Sequence, residues 1–220
     1  MGIGFHHENK FLVKEYGLQS LVFALPTKSG NFGLDLSYFG YSKYNETKIG
    51  LAYARSFGEI LSVGIQLDYF NSHFNEYYGN SGAAVVEFGL LAEPIENLFI
   101  GTHLFNPTQS KIANYDDERI PTIFKIGLGY KFSEQLYIST ETEKDIDAKP
   151  IYKAGIEFIV VDNLYLRTGI STNPLQNSFG VGYKLGRFCA DIAFSTHKEL
   201  GITPHFSLSY IFDKAEAKEL

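Results

Sequence analysis

The segment Leu61-Ser62-Val63-Gly64-Ile65-Gln66-Leu67-Asp68-Tyr69 alternates strictly between large apolar side chains and small or polar ones. Because successive side chains of a β-strand point to opposite faces, this segment predicts a strand with one apolar face and one polar face. The same alternation recurs along nearly the whole chain, with hardly any helical periodicity between the strands. The pattern favours an all-β, transmembrane antiparallel β-barrel that is apolar towards lipid and polar towards its lumen.

Alternating runs between turn signals predict about fourteen strands, an even number as in single-chain bacterial barrels. Most of these runs have the length that a tilted strand needs to cross the hydrocarbon of a bilayer. The predicted strands are Ile3–His7, Ser20–Leu25, Asn31–Phe39, Thr47–Arg55, Ile60–Phe70, Ala83–Ala92, Leu98–Phe105, Thr122–Phe132, Leu136–Glu143, Ile151–Val160, Leu164–Ser171, Ser178–Leu185, Phe188–Thr196 and Pro204–Phe212. We therefore expect the barrel to occupy residues 1–212 and residues 213–220 to form a polar periplasmic tail.

The connections between the predicted strands alternate between short and long. Outer-membrane barrels have short periplasmic turns and longer extracellular loops, whereas a soluble sandwich has no reason to alternate loop length. This pattern places both termini on the periplasmic side. The short connections are Thr27–Gly30, Phe57–Glu59, Glu93–Asn97, Ser133–Gln135, Val161–Asn163 and Gly186–Arg187, and the longest of the others are Asn71–Gly82 and Asn106–Pro121.

The composition excludes several classes of protein. The chain has 220 residues, of which 45% are hydrophobic, but no run of about twenty apolar residues that would predict a transmembrane helix. The net charge is -6 and the basic residues are scattered, so nucleic acid is not an expected partner. A single cysteine, Cys189, excludes an internal disulfide.

Charged residues within the strands fall on the opposite face from the large apolar ones. Lys or Arg facing lipid near the middle of the bilayer would cost about 2–4 kcal/mol, which explains this sorting. Two interpretations remain open, a polar conduit or binding cavity and a structural network of paired charges, and the second is the more economical. The residues predicted to line the lumen are Asp35, Asp68, Glu87, Lys125, Glu141, Glu143, Lys153, Glu157, Arg167, Lys184 and Asp191.

The sequence indicates no catalytic, metal or cofactor site. Glu141 and Glu143 share a face and could serve acid–base chemistry, but a charged lumen wall explains them more simply. His6 and His7 are adjacent, so in a strand their side chains point to opposite faces and do not form a ligand pair. We therefore expect a protein that is not an enzyme.

Two Asn-Pro pairs, Asn106-Pro107 and Asn173-Pro174, follow predicted strands at the outer rim. Proline there rigidifies the exit of the strand. We expect these residues first to fix the shape of the connections in which they lie and second to contact a partner.

The last predicted strand resembles the C-terminal signal of outer-membrane proteins, which the barrel-assembly machinery reads. It alternates Phe206, Leu208, Tyr210 and Phe212 with small or polar residues. In this chain, eight further residues follow Phe212, whereas other barrels end on the aromatic residue itself.

The chain also resembles the PorV/PorQ-like outer-membrane proteins of the Bacteroidota, relatives of the FadL (OmpP1/FadL/TodX) fatty-acid transporters. The stretches that carry the resemblance are Phe39–Tyr41 with Tyr44–Glu46, Ile49–Arg55, Ile100–Pro107, Glu143–Asp145 and Gly169–Pro174. The resemblance implies a fourteen-stranded barrel in the bacterial outer membrane, in contact with its lipid. It also implies support of type IX secretion or surface-protein attachment through other envelope proteins.

Two alternatives to this function are a FadL-like channel for hydrophobic or small solutes and a soluble β-protein. FadL-like proteins begin with a signal peptide and a segment that forms a plug or hatch. We expect both to be missing here, because the first predicted strand begins almost at Met1.

Overall fold

The computed structural model describes residues 1–74, 79–111 and 119–212, and the predicted tail 213–220 lies outside them. The chain forms a closed barrel of fourteen strands in which every strand pairs antiparallel with its neighbours in sequence and β1 pairs with β14. No helix in the described ranges has the length and apolar character needed to cross a bilayer. The predicted all-β antiparallel barrel is therefore confirmed.

Short connections join the strands at one end of the barrel. That end, here named the turn end, also carries both chain termini, and the opposite end is named the loop end. The bounds are β1 Gly2–Asn9, β2 Gly17–Thr27, β3 Gly30–Tyr41, β4 Tyr44–Phe57, β5 Leu61–Phe74, β6 Gly79–Ile95, β7 Leu98–Phe105, β8 Ile123–Lys131, β9 Leu136–Asp145, β10 Ile151–Val161, β11 Leu164–Ser171, β12 Gln176–Leu185, β13 Phe188–His197 and β14 Gly201–Ile211.

Each predicted strand is present, but the contrast between short and long connections is smaller than the sequence pattern indicates. The predicted loop Asn71–Gly82 is mostly strand, because β5 continues to Phe74 and β6 begins at Gly79. β3 and β4 are joined only by Ser42 and Lys43. Backbone pairing needs no apolar side chain, so the ladder of hydrogen bonds extends past the point at which hydrophobic alternation ends.

The exterior of the barrel is a continuous apolar surface. Large apolar side chains at alternate positions of the strands point outwards and stay largely exposed, as in β4, where Ile49 and Leu51 are 51% and 63% exposed. The outward-facing large side chains of β8, β12 and β13 show the same exposure. They are Ile126, Leu128, Tyr130, Phe179, Val181, Tyr183, Phe188, Ile192 and Phe194.

Aromatic rings cluster on this surface at the turn end. Tyr130 and Phe132 pack with their ring centroids 4.7 Å apart, and Phe188 and Tyr210 with theirs 4.5 Å apart. Tyr210 also contacts Phe212 at 4.8 Å. Such a cluster is typical of the aromatic girdle at the interface between bilayer and water.

Arginine on the exterior should be far more costly than arginine in the lumen. Ile156 is 44% exposed on the outside of β10 and pairs with Ile138, whose neighbour Ser139 points into the lumen. We expect Ile156→Arg to lower the free energy of unfolding in lipid vesicles by about 2–4 kcal/mol, because its charge must enter hydrocarbon. Urea titration of the barrel in vesicles measures this change. Ser139→Arg, the matched control, should lower the free energy of unfolding much less. Equal losses would contradict a lipid-facing exterior at Ile156.

Candidate functional site

The lumen wall carries the charged residues of the barrel. All the predicted lumen residues occupy the strand positions that alternate with the exposed apolar exterior. Register brings them together in groups, whereas Lys184 lies apart from these groups, opposite Cys189 near the turn end. The groups are Asp35, Asp68 and Glu87; Lys125, Glu141, Glu143 and Lys153; and Glu157, Arg167 and Asp191.

Lys48 is the centre of the first group. Its Nζ lies 2.7 Å from Asp35 Oδ2, 3.9 Å from Asp68 Oδ1 and 3.8 Å from Glu87 Oε1, so one ammonium group connects β3, β4, β5 and β6. Asp68 is 1% exposed and also accepts a hydrogen bond of 2.8 Å from Gln66 Nε2. Lys48 was not among the predicted lumen residues. Its position two residues before Gly50, on the lumen side of a predicted strand, was the signal that could have found it.

The second group continues the polar wall across β8, β9 and β10. Lys153 Nζ lies 2.9 Å from Glu141 Oε1 and 2.6 Å from Glu143 Oε2. Lys125 Nζ approaches Glu143 Oε2 at 3.4 Å. Between the two groups, His103 Nε2 lies 2.8 Å from Glu87 Oε2, a contact that sequence reasoning also missed.

Arg167 on β11 connects the strands on both of its sides in the third group. Its Nε donates a hydrogen bond of 2.6 Å to Glu157 Oε2 on β10, and its Nη1 pairs with Asp191 on β13. The guanidinium must cross β12 to reach Asp191, and it does so over Gly182. A Cβ at that position would lie 2.8 Å from Arg167 Nη1 and would also collide with the Asp191 carboxylate.

These ion pairs follow the wall and do not cross the lumen. Within residues 1–74, 79–111 and 119–212, every ion pair between strands joins strands that are adjacent or next but one. Cavities of about 400 Å³ beside Gly127, Gly129 and Tyr137 and about 330 Å³ beside Arg167 remain along the inner wall. Eight strands leave room only for side chains, whereas sixteen to eighteen enclose an aqueous channel. The fourteen strands here keep open space beside a charged wall.

In the described part of the connection between β7 and β8, Asn106 and Ile120 fold against the inner wall at the loop end. Asn106, which is fully buried, donates a hydrogen bond of 2.7 Å from Nδ2 to the Ile120 carbonyl, and its own carbonyl accepts one of 2.8 Å from Thr122. Ile120 thereby packs against Val85 and Ala83 on the inner wall. Asn106 thus holds the described part of this connection against the wall, and Pro107 follows it in the turn.

The connection between β1 and β2 also folds inwards. The Phe11 amide donates a hydrogen bond of 3.1 Å to Thr203 Oγ1, and its ring lies against His197 with centroids 5.8 Å apart. Thr203 and His197 both belong to the lumen face of the sheet. Two connections on different sides of the barrel therefore narrow its loop end.

The other predicted pair lies at the rim. Asn173 Nδ2 donates a hydrogen bond of 2.6 Å to the Pro150 carbonyl, which ties the β11–β12 connection to the β9–β10 connection, and the Asn173–Pro174 peptide bond is cis. This geometry does not test whether Asn173 and Pro174 contact a partner, so their role as partner contacts stays a prediction.

Phe206, Leu208 and Tyr210 of the predicted assembly signal lie on the outer face of β14, and Phe212 directly follows that strand. Phe206, Leu208 and Phe212 are exposed, and Leu208 and Tyr210 are opposite Phe5 and Ile3 of β1. The signal residues are therefore part of the strand that closes the barrel.

Comparison with known proteins gives a fold and no family. Neither a protein-family model nor a curated protein sequence matches the chain. The CymD monoaromatic hydrocarbon channel is similar in structure, with a TM-score of 0.66 at 13% identity, over 96% of this chain and 87% of that one. The toluene transporter TodX of Pseudomonas putida gives 0.64 at 10% identity, over 94% of this chain and 86% of that one. The KdgM porin gives 0.55 at 12% identity, over 97% of this chain and all of that one.

These structures share the fold of bacterial outer-membrane barrels, which agrees with the predicted localisation. They do not single out PorV-like proteins or the Bacteroidota. The structures named are channels and a porin. The chain has the fold of an outer-membrane β-barrel with a charged, partly open lumen.

Substitution of Gly182 should break the third group of charges. We expect Gly182→Ala to lower the free energy of unfolding by about 1–3 kcal/mol, as in other overpacked interiors, because the new methyl displaces Arg167 from Asp191. Urea unfolding of the folded barrel measures this change. Gly101→Ala is the matched control, since a Cβ there meets nothing within 4 Å. A loss at Gly101 as large as that at Gly182 would show that steric contact with Arg167 is not the cause.

Proposed function

We propose that this protein is a passive outer-membrane channel for small, water-soluble solutes. The observation that carries the proposal is the direction of the ion pairs, which follow the wall and leave open space beside it. A path for a hydrocarbon would need a continuous apolar lining. Here charged groups interrupt the inner wall from β3 to β13, and even the apolar Val85 lies directly opposite Asp68.

The wall also favours cations over anions. Carboxylates outnumber ammonium and guanidinium groups among the ion pairs described above, and rings of Asp and Glu are the usual lining of cation-selective pores. A narrowed loop end would restrict passage to small solutes, because the β1–β2 and β7–β8 connections both occupy part of the opening.

Conductance in planar bilayers tests this function. We expect the purified barrel to carry a cation-selective current, with Glu141→Gln lowering the ratio of cation to anion permeability and Lys125→Gln raising it. A unit charge about 7 Å from a permeating ion contributes about 0.6 kcal/mol in water, which changes the permeability of one ion about 2.7-fold at low salt. Cation and anion permeabilities change in opposite directions, so each ratio should change about 7-fold.

The matched control for these variants is Glu59→Gln, since Glu59 lies in the exposed turn between β4 and β5 and not on the lumen wall. Its permeability ratio should remain close to that of the unchanged protein. A barrel that folds but carries no current would reject the channel.

A second candidate is the function that the PorV-like resemblance implies, support of type IX secretion or surface-protein attachment through envelope proteins. Its support is that the lumen charges are largely satisfied by one another, as a barrel with a mainly structural interior requires. Such a barrel should co-purify with other envelope proteins and conduct little current. Co-purification without conductance would therefore favour this candidate over the channel.

A further inference from the structure

A group of nitrogen and oxygen donors lies where the first and last strands of the barrel meet. His6 and Glu8 are two residues apart on β1, so both face the lumen, and His205 lies opposite Glu8 in the register of β1 with β14. The sequence brings His6 next to His7, but His7 points to the other face of the strand. The group therefore exists only because the barrel closes.

The donor atoms are close enough to share one ion. His205 Nδ1 lies 3.6 Å from Glu8 Oε2, and donor atoms of His6, Glu8 and His205 all lie within 4.8 Å of one another. Tetrahedral zinc with bonds of about 2.0–2.2 Å holds its ligand atoms about 3.3–3.6 Å apart. Small rotations of the side chains would bring the three donors to that spacing.

Ser195 on β13 holds the His205 ring in the orientation that a ligand needs. Its Oγ lies 3.1 Å from His205 Nε2, while His205 Nδ1 faces Glu8. Histidine ligands usually donate the hydrogen of their other ring nitrogen to a neighbouring acceptor, which fixes the tautomer. With Nε2–H donated to Ser195, the lone pair of Nδ1 is directed towards Glu8.

We propose that His6, Glu8 and His205 form a binding site for a divalent transition-metal ion, of which Zn²⁺ is the ion that we would test. Two imidazoles and one carboxylate suit Zn²⁺ and leave its fourth position to water from the lumen. The side chains of Glu8 and His205 are 16% and 27% exposed, so the site is lined by protein but open to solvent. The proposal does not depend on whether the barrel conducts solutes.

A bound ion would connect β1 to β14 through side chains as well as through the backbone. An ion that binds the folded barrel and not the unfolded chain stabilises the folded state. The inward-folded β1–β2 connection lies beside this seam, because the Phe11 amide bonds to Thr203, two residues before His205. Metal binding would therefore stabilise the closure of the barrel near its loop end.

The experiment is a Zn²⁺ titration of the folded barrel in detergent by calorimetry, with Co²⁺ absorption as a second readout of coordination. We expect one ion per chain and a higher midpoint of thermal unfolding with Zn²⁺. Glu8→Gln and His205→Gln each remove a ligand and should weaken binding at least about 10-fold. Ser195→Ala should weaken it about 10- to 100-fold by releasing the His205 ring, although Ser195 is a positioning residue and not a ligand.

The matched control is His7→Gln, which removes an adjacent histidine from the opposite face and should leave Zn²⁺ affinity and the thermal shift unchanged. Heat-modifiable migration on gels shows that each variant forms a barrel, so that a lost site is distinguished from lost folding. Absence of stoichiometric binding by the unchanged protein would overturn the proposal. Equal weakening by His7→Gln and His205→Gln would also overturn it, because the ion would then be bound adventitiously.

Discussion

The structure depends on closure of the backbone hydrogen-bond ladder between its two ends. In hydrocarbon, an unpaired amide or carbonyl group costs several kcal/mol, so an open sheet edge is not tolerated there. β1 meets this requirement by pairing with β14 from Gly2 opposite Ile211 to Glu8 opposite His205. The Phe212 amide then bonds to the Met1 carbonyl and extends the pairing to the turn end. Every strand between these two is tilted because a closed barrel requires it.

Once the sheet is closed, strand parity separates two environments that need opposite chemistry. The exterior takes large apolar side chains at nearly every outward position, and the inner wall takes the charges. Inside, a glycine on the strand between two charged residues allows their side chains to come into contact. Arg167 reaches Asp191 only because Gly182 leaves the intervening strand bare. The resulting pairs satisfy one another along the wall, so a charged lumen is compatible with stability and still leaves space for solutes.

The seam between β1 and β14 combines features that are far apart in the sequence. Its outer face carries the aromatic and apolar residues of the assembly signal, and its inner face carries His6, Glu8 and His205. β14 therefore carries the predicted assembly signal on its outer face and His205 on its inner face. Beside it, the β1–β2 connection narrows the loop end, as Ile120 does on the opposite part of the wall.

The sequence alone determined the number of strands, their approximate bounds and the face on which each predicted lumen charge lies, because alternation is a local property of each strand. It did not indicate that polar rim residues such as Ser72 and Ser81 continue the β5–β6 ladder, nor that Asn106 turns a connection into the lumen. It also did not indicate that Lys48 pairs with carboxylates of three other strands or that Glu8 lies beside His205. These depend on register and closure, which bring together residues of different strands. Tertiary structure alone decided them, since parity gives the face of a side chain but not its neighbour.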